Sequence, residues 1–176
     1  MTRRLLVLMA GLGVLGGALP ASAQEIYCTF TTAKQGTLKG SNNSTQIPVL
    51  FLTEEVSVPY DAGTGLASGK RTDKPLTIVK ELDATSVQLF GAAVTNEIFP
   101  SVTCTFYRRS QTGSGEAYFK ISLTDAAVVD YRDAGDGTNG DVPGDERERV
   151  SFTYQKIELT DLSSESSFMD DWLAGS

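Results

Sequence analysis

The stretch VTCTFY, residues Val102–Tyr107, has the strict alternation of a half-buried β-strand. Val102, Cys104 and Phe106 share one face and two threonines share the other, because successive side chains of a strand point to opposite sides of its sheet. The same period of two recurs in YFKISLTD, residues Tyr118–Asp125. These two stretches predict two β-strands.

A third alternating stretch, VSFTYQKIEL at residues 150–159, changes parity part of the way along. Its first apolar residues occupy even positions and its last two, Ile157 and Leu159, occupy odd ones, which predicts a bulge near Gln155 or Lys156. Further strands are predicted at Ile26–Thr32, Ile47–Thr53, Glu55–Val58, Leu76–Leu82 and Ala126–Tyr131. A total of about seven or eight short strands favours an all-β barrel or sandwich.

One segment, DATSVQLFGAAVTNEIFP, loses the alternation and predicts a helix. Apolar residues and one glycine fall on a stripe with helical spacing: Val87, Phe90, Gly91, Val94 and Ile98. The helix begins either with a capping box of Thr85 and Gln88 or with Asp83 as N-cap. Pro100 ends it.

The N-terminal residues have the pattern of an export signal. Arg3 and Arg4 precede the apolar run Leu5–Leu19, and the small-x-small sequence Ala21-Ser22-Ala23 follows a proline. A membrane anchor is the alternative, but the run is shorter than the roughly 20 residues that cross a bilayer. Residues 1–23 are therefore predicted to be a signal peptide that is cleaved after Ala23, which leaves a secreted protein, periplasmic or extracellular.

Composition restricts the partners of the mature chain. Removal of Arg3 and Arg4 changes the formal net charge from −7 to −9. A chain this acidic is not attracted to nucleic acid or to anionic membranes. A second long apolar segment is absent from the sequence, so no membrane association is expected after signal cleavage.

The absence of histidine excludes several kinds of active site. A Ser-His-Asp triad, a Cys-His pair and every histidine-ligated metal are impossible. Paired carboxylates or a Ser-Lys dyad could still support catalysis, but no spacing in the chain indicates either one. The chain is predicted not to be an enzyme and to carry no cofactor.

The two cysteines, Cys28 and Cys104, are too few for a zinc cage. In an oxidising compartment they are expected to form a disulfide. Both lie in predicted strands among polar neighbours, so they can point to the same side of adjacent strands. We therefore predict a bond within one subunit; the alternative is a bond between subunits.

Two long loops imitate ligand-binding motifs. Residues Tyr60–Pro75 contain GTGLASGKRT, but Arg71 stands where a phosphate-binding loop needs Ser or Thr, and no helix is predicted to follow. Residues Asp133–Glu148 carry many carboxylates among glycines, yet the EF-hand register fails because glycines fall at ligand positions. No metal site is predicted. The acidic, amphipathic residues 161–176 are expected to form a C-terminal tail.

Four segments together resemble the haemolysin-coregulated protein family, Hcp, whose members supply the tube of type VI secretion systems. They are the strand-helix joint Leu76–Asp83 and the runs at Pro100–Arg108, Lys120–Asp125 and Val150–Glu158. The resemblance implies a mainly β fold, a small β-barrel of two sheets with one flanking α-helix, over residues 24–160. It also implies hexameric rings that stack into tubes, with protein cargo in the lumen and no catalytic residues.

Three features depart from this pattern: the export signal, the cysteine pair, and the tail that extends beyond the family's usual final strand. They favour an exported subunit whose rings and tubes form by self-association. The alternatives are a type VI tube component that carries effectors, with translation starting downstream, and a monomeric exported barrel that binds a ligand or calcium. In the assembling subunit, the loop Tyr60–Pro75 is predicted to contact the next ring. Its proposed contact residues are Leu66, Lys70, Arg71 and Lys74.

Overall fold

Two long antiparallel strands, Ile98–Arg109 and Gly115–Ala134, form the centre of the structure. The structure is a computed structural model that describes residues 24–109, 115–134 and 146–174. The strands and the helix follow one another in this order: β1 (Glu25–Thr32), β2 (Gly36–Thr37), β3 (Ile47–Val49), β4 (Phe51–Thr53), β5 (Val56–Ser57), β6 (Thr72–Asp73), β7 (Leu76–Glu81), α1 (Ala84–Val94), β8 (Ile98–Arg109), β9 (Gly115–Ala134), β10 (Arg147–Thr153), β11 (Lys156–Asp161) and β12 (Ser166–Asp171). A short 3-10 helix at Ser41–Asn43 precedes β3.

The main sheet curves into a barrel. Its strand order is β2-β1-β8-β9-β10-β7-β4, and all the ladders are antiparallel. Strand β3 pairs with β1, whereas β4, one residue further on, pairs with β7. Residues 47–53 therefore bridge the two ends of the strand order and close the sheet around the core. Strands β5 and β6 form a separate two-stranded sheet. The predicted fold class, mainly β with two sheets and one flanking α-helix, is confirmed.

Strand β9 is long enough to pair with strands in both halves of the main sheet. Its first half pairs with β8 and β11, and its second half pairs with β10. Asp125 lies at the corner with a φ of 50°, a left-handed conformation that bends the strand. The predicted strands Tyr118–Asp125 and Ala126–Tyr131 divide β9 at this residue, because the apolar alternation of YFKISLTD ends there.

The predicted parity change after Tyr154 corresponds to a break between two strands. Strand β10 ends at Thr153, and β11 begins at Lys156. The register irregularity along β10 lies between Ser151 and Phe152, earlier than the predicted bulge at Gln155 or Lys156. The change of parity keeps both Phe152 and Ile157 in the core, because the chain turns opposite the corner of β9.

The helix prediction needs correction at both ends and on its buried face. Asp83 is the N-cap and forms the capping box with Ser86, so the alternative start is right and the Thr85–Gln88 box is wrong. Ile98 belongs to β8. The face that packs on the barrel consists of Thr85, Ser86, Leu89 and Ala92, whereas the apolar residues of the predicted stripe, Val87, Phe90 and Val94, are exposed. Small side chains let the helix approach the sheet closely, and a hydrophobicity pattern does not detect such a face.

The core is aromatic at its centre and contains the disulfide. Phe152 contacts both Phe30 and Phe99, with ring centroids 5.8 and 5.4 Å apart. Burial of each such side chain stabilises the fold by about 1.5–3 kcal/mol. Cys28 and Cys104 lie directly opposite each other on β1 and β8, are buried, and form a disulfide bond. The predicted bond is thus present within a single chain.

The C-terminal residues predicted as a tail include a further strand. Strand β12 pairs with β11 along its whole length, from Lys156↔Asp171 to Asp161↔Ser166. Its sequence, SSFMDD, lacks a clear alternation of polar and apolar residues, which is why the sequence analysis did not predict it. Strand β12 lies at the edge of the sheet, with β11 as its one partner among the described strands.

Candidate functional site

The loop at residues 60–75 is the distal part of a hairpin that projects from the barrel. We call residues 54–75 the arm. Strands β5 and β6 pair through Val56↔Asp73 and Ser57↔Thr72, and Tyr60 bridges to Ala67 nearer the tip. The Asp61 carboxylate accepts hydrogen bonds from the backbone N–H groups of Gly63 and Thr64, which shapes the tip. The long loop of the sequence is therefore an ordered extension.

The stretch GTGLASGKRT, which resembles a phosphate-binding loop, lies within this arm. The residues that follow it form β6 and then β7, so no helix N-terminus faces the glycines. Among the described residues, no group of acidic or cysteine side chains could hold a metal ion. The acidic loop with the calcium-like composition, 135–145, lies outside the described residues.

Four exposed apolar side chains line the arm: Val56, Val58, Tyr60 and Leu66. Leu66, at the tip, is 69% exposed. Ordered apolar side chains that face solvent together on a projecting element are typical of a surface that binds another protein. The prediction that Leu66 belongs to a contact surface is compatible with this position.

The basic residues of the arm do not form one free positive cluster. Lys70 is exposed beside Arg71, between the tip and the base of the arm, and forms no ion pair with a described residue. Arg71 pairs with Asp73 and with Asp170 of β12, and Lys74 pairs with Glu55 at a distance of 2.6 Å. The predicted contact surface includes all three positive charges, but two of them, Arg71 and Lys74, form ion pairs with acids of the same subunit.

Acidic groups surround Arg71 where the arm joins the barrel. Burial and the neighbouring Asp73 raise the pKa of Glu54. Burial and the acids Glu54, Asp73 and Asp170 raise the pKa of Tyr154 to about 12, which keeps this phenol neutral. Its hydroxyl is buried and has no hydrogen-bond partner among the described residues. The base of the arm is thus a partly buried site with an excess of negative charge.

Two other surfaces expose apolar groups. The outward face of α1 presents Val87, Phe90 and Val94, with Phe90 packed edge-on against Tyr131 at 5.5 Å between ring centroids. The edge strand β12 presents Phe168 and Met169. An edge strand with apolar side chains is able to pair with another chain. None of the helices in the described part of the chain is long and apolar enough to cross a membrane.

A barrel of this kind, with one flanking helix, a projecting arm and an exposed sheet edge, defines a class of fold with known members. The family profile described as "Type VI secretion system effector, Hcp" matches residues 27–160. The "Major exported protein" of Pseudomonas aeruginosa is 34% identical over 147 residues, which is 81% of this chain and 84% of that protein. The chain belongs to the Hcp family.

Solved structures support the same assignment. The secreted protein Hcp3 from Pseudomonas aeruginosa is 29% identical and superposes with a TM-score of 0.70, covering 85% of this chain and 99% of that one. A crystal structure described as an Hcp protein gives a TM-score of 0.75 at 23% identity, covering 85% and 98% of the two chains. At that identity the likeness establishes the fold alone. The overall fold of this chain is therefore that of the Hcp family.

Proposed function

We propose that this chain is an exported structural subunit that assembles into hexameric rings, and that the rings stack into tubes. Membership in the Hcp family is the observation that carries the proposal. The fold adds physical support, because it presents an ordered arm, an edge strand and an apolar helix face to solvent. Catalysis has no part in this function.

Strand β12 is the best candidate for a contact between subunits in a ring. Its free edge leaves backbone N–H and C=O groups available for pairing with another copy, and Phe168 and Met169 add apolar area beside it. Addition of a strand to an exposed edge is a common mode of protein association. The arm is the best candidate for a contact between rings, with Leu66 exposed at its tip and Lys70 exposed nearer its base.

Export of the subunit is supported by the N-terminal pattern and by the name of its relative, the "Major exported protein". Cleavage after Ala23 gives a chain that starts at Gln24, one residue before β1. The buried disulfide fits a compartment in which thiols are oxidised. We propose that the mature subunit acts in the periplasm or outside the cell.

The second candidate function is a tube component of a type VI secretion system that carries protein cargo in its lumen. The family profile, which is described as a type VI effector, favours it. The two functions differ in the fate of residues 1–23. An exported subunit loses them to a signal peptidase, whereas a cytoplasmic tube subunit would not be processed after Ala23.

One experiment separates these functions. The full chain is produced in a bacterium with an outer membrane, and intact mass and negative-stain electron microscopy are applied to periplasmic and extracellular material. The proposal expects a chain that begins at Gln24 and rings or tubes in that material. Leu12→Arg, which places a charge in the apolar run, is the control and should abolish export. Unprocessed protein confined to the cytoplasm contradicts the proposed export, and an exclusively monomeric mature protein contradicts the proposed assembly.

A further inference from the structure

The arm is connected to the barrel by few interactions. Strands β5 and β6 pair with each other in a sheet of their own, and neither pairs with a described strand of the main sheet. The arm enters and leaves the barrel through the short segments 54–55 and 74–75. Its direction therefore depends on side-chain contacts at its base.

Apolar packing at the base is incomplete. A groove of about 360 Å³ that is open to solvent lies between the arm and the β11–β12 hairpin, and its apolar lining residues are Val56, Ile157, Leu159 and Phe168. Protein interiors are normally filled to crystal-like density, and side chains lock each other in place only when they interlock. Packing across an open groove cannot fix the angle of the arm by itself.

An ion pair spans this gap. The Nη2 atom of Arg71 lies 2.5 Å from both carboxylate oxygens of Asp170, and its Nε atom lies 3.3 Å from Asp73. Arg71 belongs to the arm, and Asp170 belongs to β12, 99 residues away in sequence. The planar guanidinium can engage a carboxylate only in a restricted set of orientations, so such a pair fixes direction as well as distance.

Asp170 is itself held in place by the strand that carries it. It lies opposite Ile157 in the β11–β12 ladder, and three-quarters of its side chain is shielded from solvent. The neighbouring Asp171 pairs with Lys156 of the same hairpin, at 2.9 Å, and not with the arm. The two adjacent carboxylates of β12 thus pair with different elements: Asp170 pairs with the arm, and Asp171 pairs with β11.

We propose that Asp170 is a positioning residue that sets the direction of the arm through Arg71, so that the C-terminal strand is part of the assembly apparatus. The effect of Asp170 on stacking rests on the proposed function. Its effect on the arm within a single subunit does not. Because the pair is partly exposed, salt should weaken it, and the arm should become freer as ionic strength rises.

Spin labels measure the position of the arm directly. Cysteines for labelling are introduced by Ser68→Cys on the arm and Val129→Cys on the barrel, both at exposed positions. The parent protein should give a narrow distance distribution at low salt, and Asp170→Asn should broaden it. Asp171→Asn, the matched control, should leave it narrow. An unchanged distribution in Asp170→Asn, or equal broadening in both variants, overturns the proposal.

Limited trypsin digestion provides a second measurement without labels. Cleavage after Lys70 should be faster by about threefold in Asp170→Asn, the effect that is expected from loss of one partly exposed ion pair. Asp170→Glu should restore most of the protection. Exchange of the two charges, Arg71→Asp with Asp170→Arg, should restore the narrow label distribution. If Asp170→Glu does not restore protection and the charge exchange does not restore the narrow distribution, Asp170 does not act through Arg71.

The assembled state is tested separately. Asp170→Asn should shorten or abolish tubes at physiological salt and leave rings intact, while Asp171→Asn should assemble like the parent. If the parent protein forms no tubes, the proposed function fails while the label measurement still decides the role of Asp170. If the arm is freed and tubes form normally, the link between arm direction and stacking is wrong.

Discussion

The Nζ atom of Lys80 lies 2.5 Å from Oε1 of Glu148, and both side chains are almost completely buried. The two residues face each other in the β7–β10 ladder. The same ammonium group also donates to the Asp83 carboxylate, 2.8 Å away, and Asp83 is the N-cap of α1. Burial acts to raise the pKa of Asp83, but hydrogen bonds from Lys80 and Thr85 outweigh it and hold the pKa below its usual value. One buried lysine thus joins two strands to the start of the helix.

Removal of one partner should lower the stability of the fold, because it leaves a buried charge without its main counter-charge. Glu148→Gln should lower the free energy of unfolding by about 3 kcal/mol, near the low end for a broken buried pair, because Asp83 still contacts the lysine. Urea denaturation measures the change. The control is Glu116→Gln at the exposed Arg108–Glu116 pair, where a change under about 1 kcal/mol is expected. Equal effects at both sites would show that the buried pair has no special role.

The disulfide should stabilise the fold without linking subunits. Cys28 and Cys104 are 76 positions apart in sequence, a separation for which the chain-entropy account gives about 4 kcal/mol. Comparison of oxidised and reduced protein by urea denaturation measures this difference. Because both sulfur-bearing residues are buried, non-reducing electrophoresis should show a monomer. A ladder of covalent multimers would contradict the bond described for the single chain.

Glu97 should make the protein sensitive to acid. Burial acts to raise its pKa, but hydrogen bonds from the Gln35 and Thr32 side chains and from two backbone N–H groups lower it from 4.5 to about 2. A lowered pKa means that the ionised form stabilises the fold at pH values above 4.5 and that this contribution is lost as the pH falls toward 2. The free energy of unfolding of the parent should therefore fall across this window.

The matched variant for this effect is Glu97→Gln, which cannot ionise. It should be less stable than the parent at neutral pH, and the difference between the two should shrink as the pH falls through the same window. Glu25→Gln, at an exposed position, serves as the control. A constant difference between Glu97→Gln and the parent at every pH would rule out Glu97 as the titrating group.

Substitutions on the two faces of α1 test which face of the helix packs on the barrel. Val87 is 77% exposed and Leu89 is fully buried. Val87→Gln should change the free energy of unfolding by less than about 0.5 kcal/mol, the usual range for surface positions. Leu89→Ala should lower it by about 2–5 kcal/mol, because it opens a cavity in the core. A larger loss for Val87→Gln would mean that the stripe predicted from sequence, and not the observed face, packs on the barrel.

Local patterns predicted the strands well and the contacts between distant elements poorly. Strand β1 and strand β7 are each predicted to within one residue at either end, because both segments are short runs rich in β-branched, aromatic and aliphatic residues. The helix face was assigned to Val87 and its neighbours, because hydrophobicity alone cannot show that Ser86 and Ala92 permit closer packing. The Arg71–Asp170 pair was not predictable, since it joins residues 99 positions apart and depends on β12. Long-range geometry, not residue type, decides such a contact.

The tip of the arm provides the most direct test of stacking. Replacement of residues 61–68 by Asn-Gly, a pair that favours a tight two-residue hairpin turn, should shorten the arm and retain the β5–β6 ladder and the Arg71–Asp170 pair. The subunit should fold and form rings, because its core and edge strand are unchanged. Tubes should be lost, since the tip with Leu66 is removed and the shortened arm no longer reaches the next ring. Electron microscopy of the variant measures both outcomes, with Thr64→Ala as a control that keeps the full length. Tubes of normal length in the shortened variant would show that the arm does not connect rings.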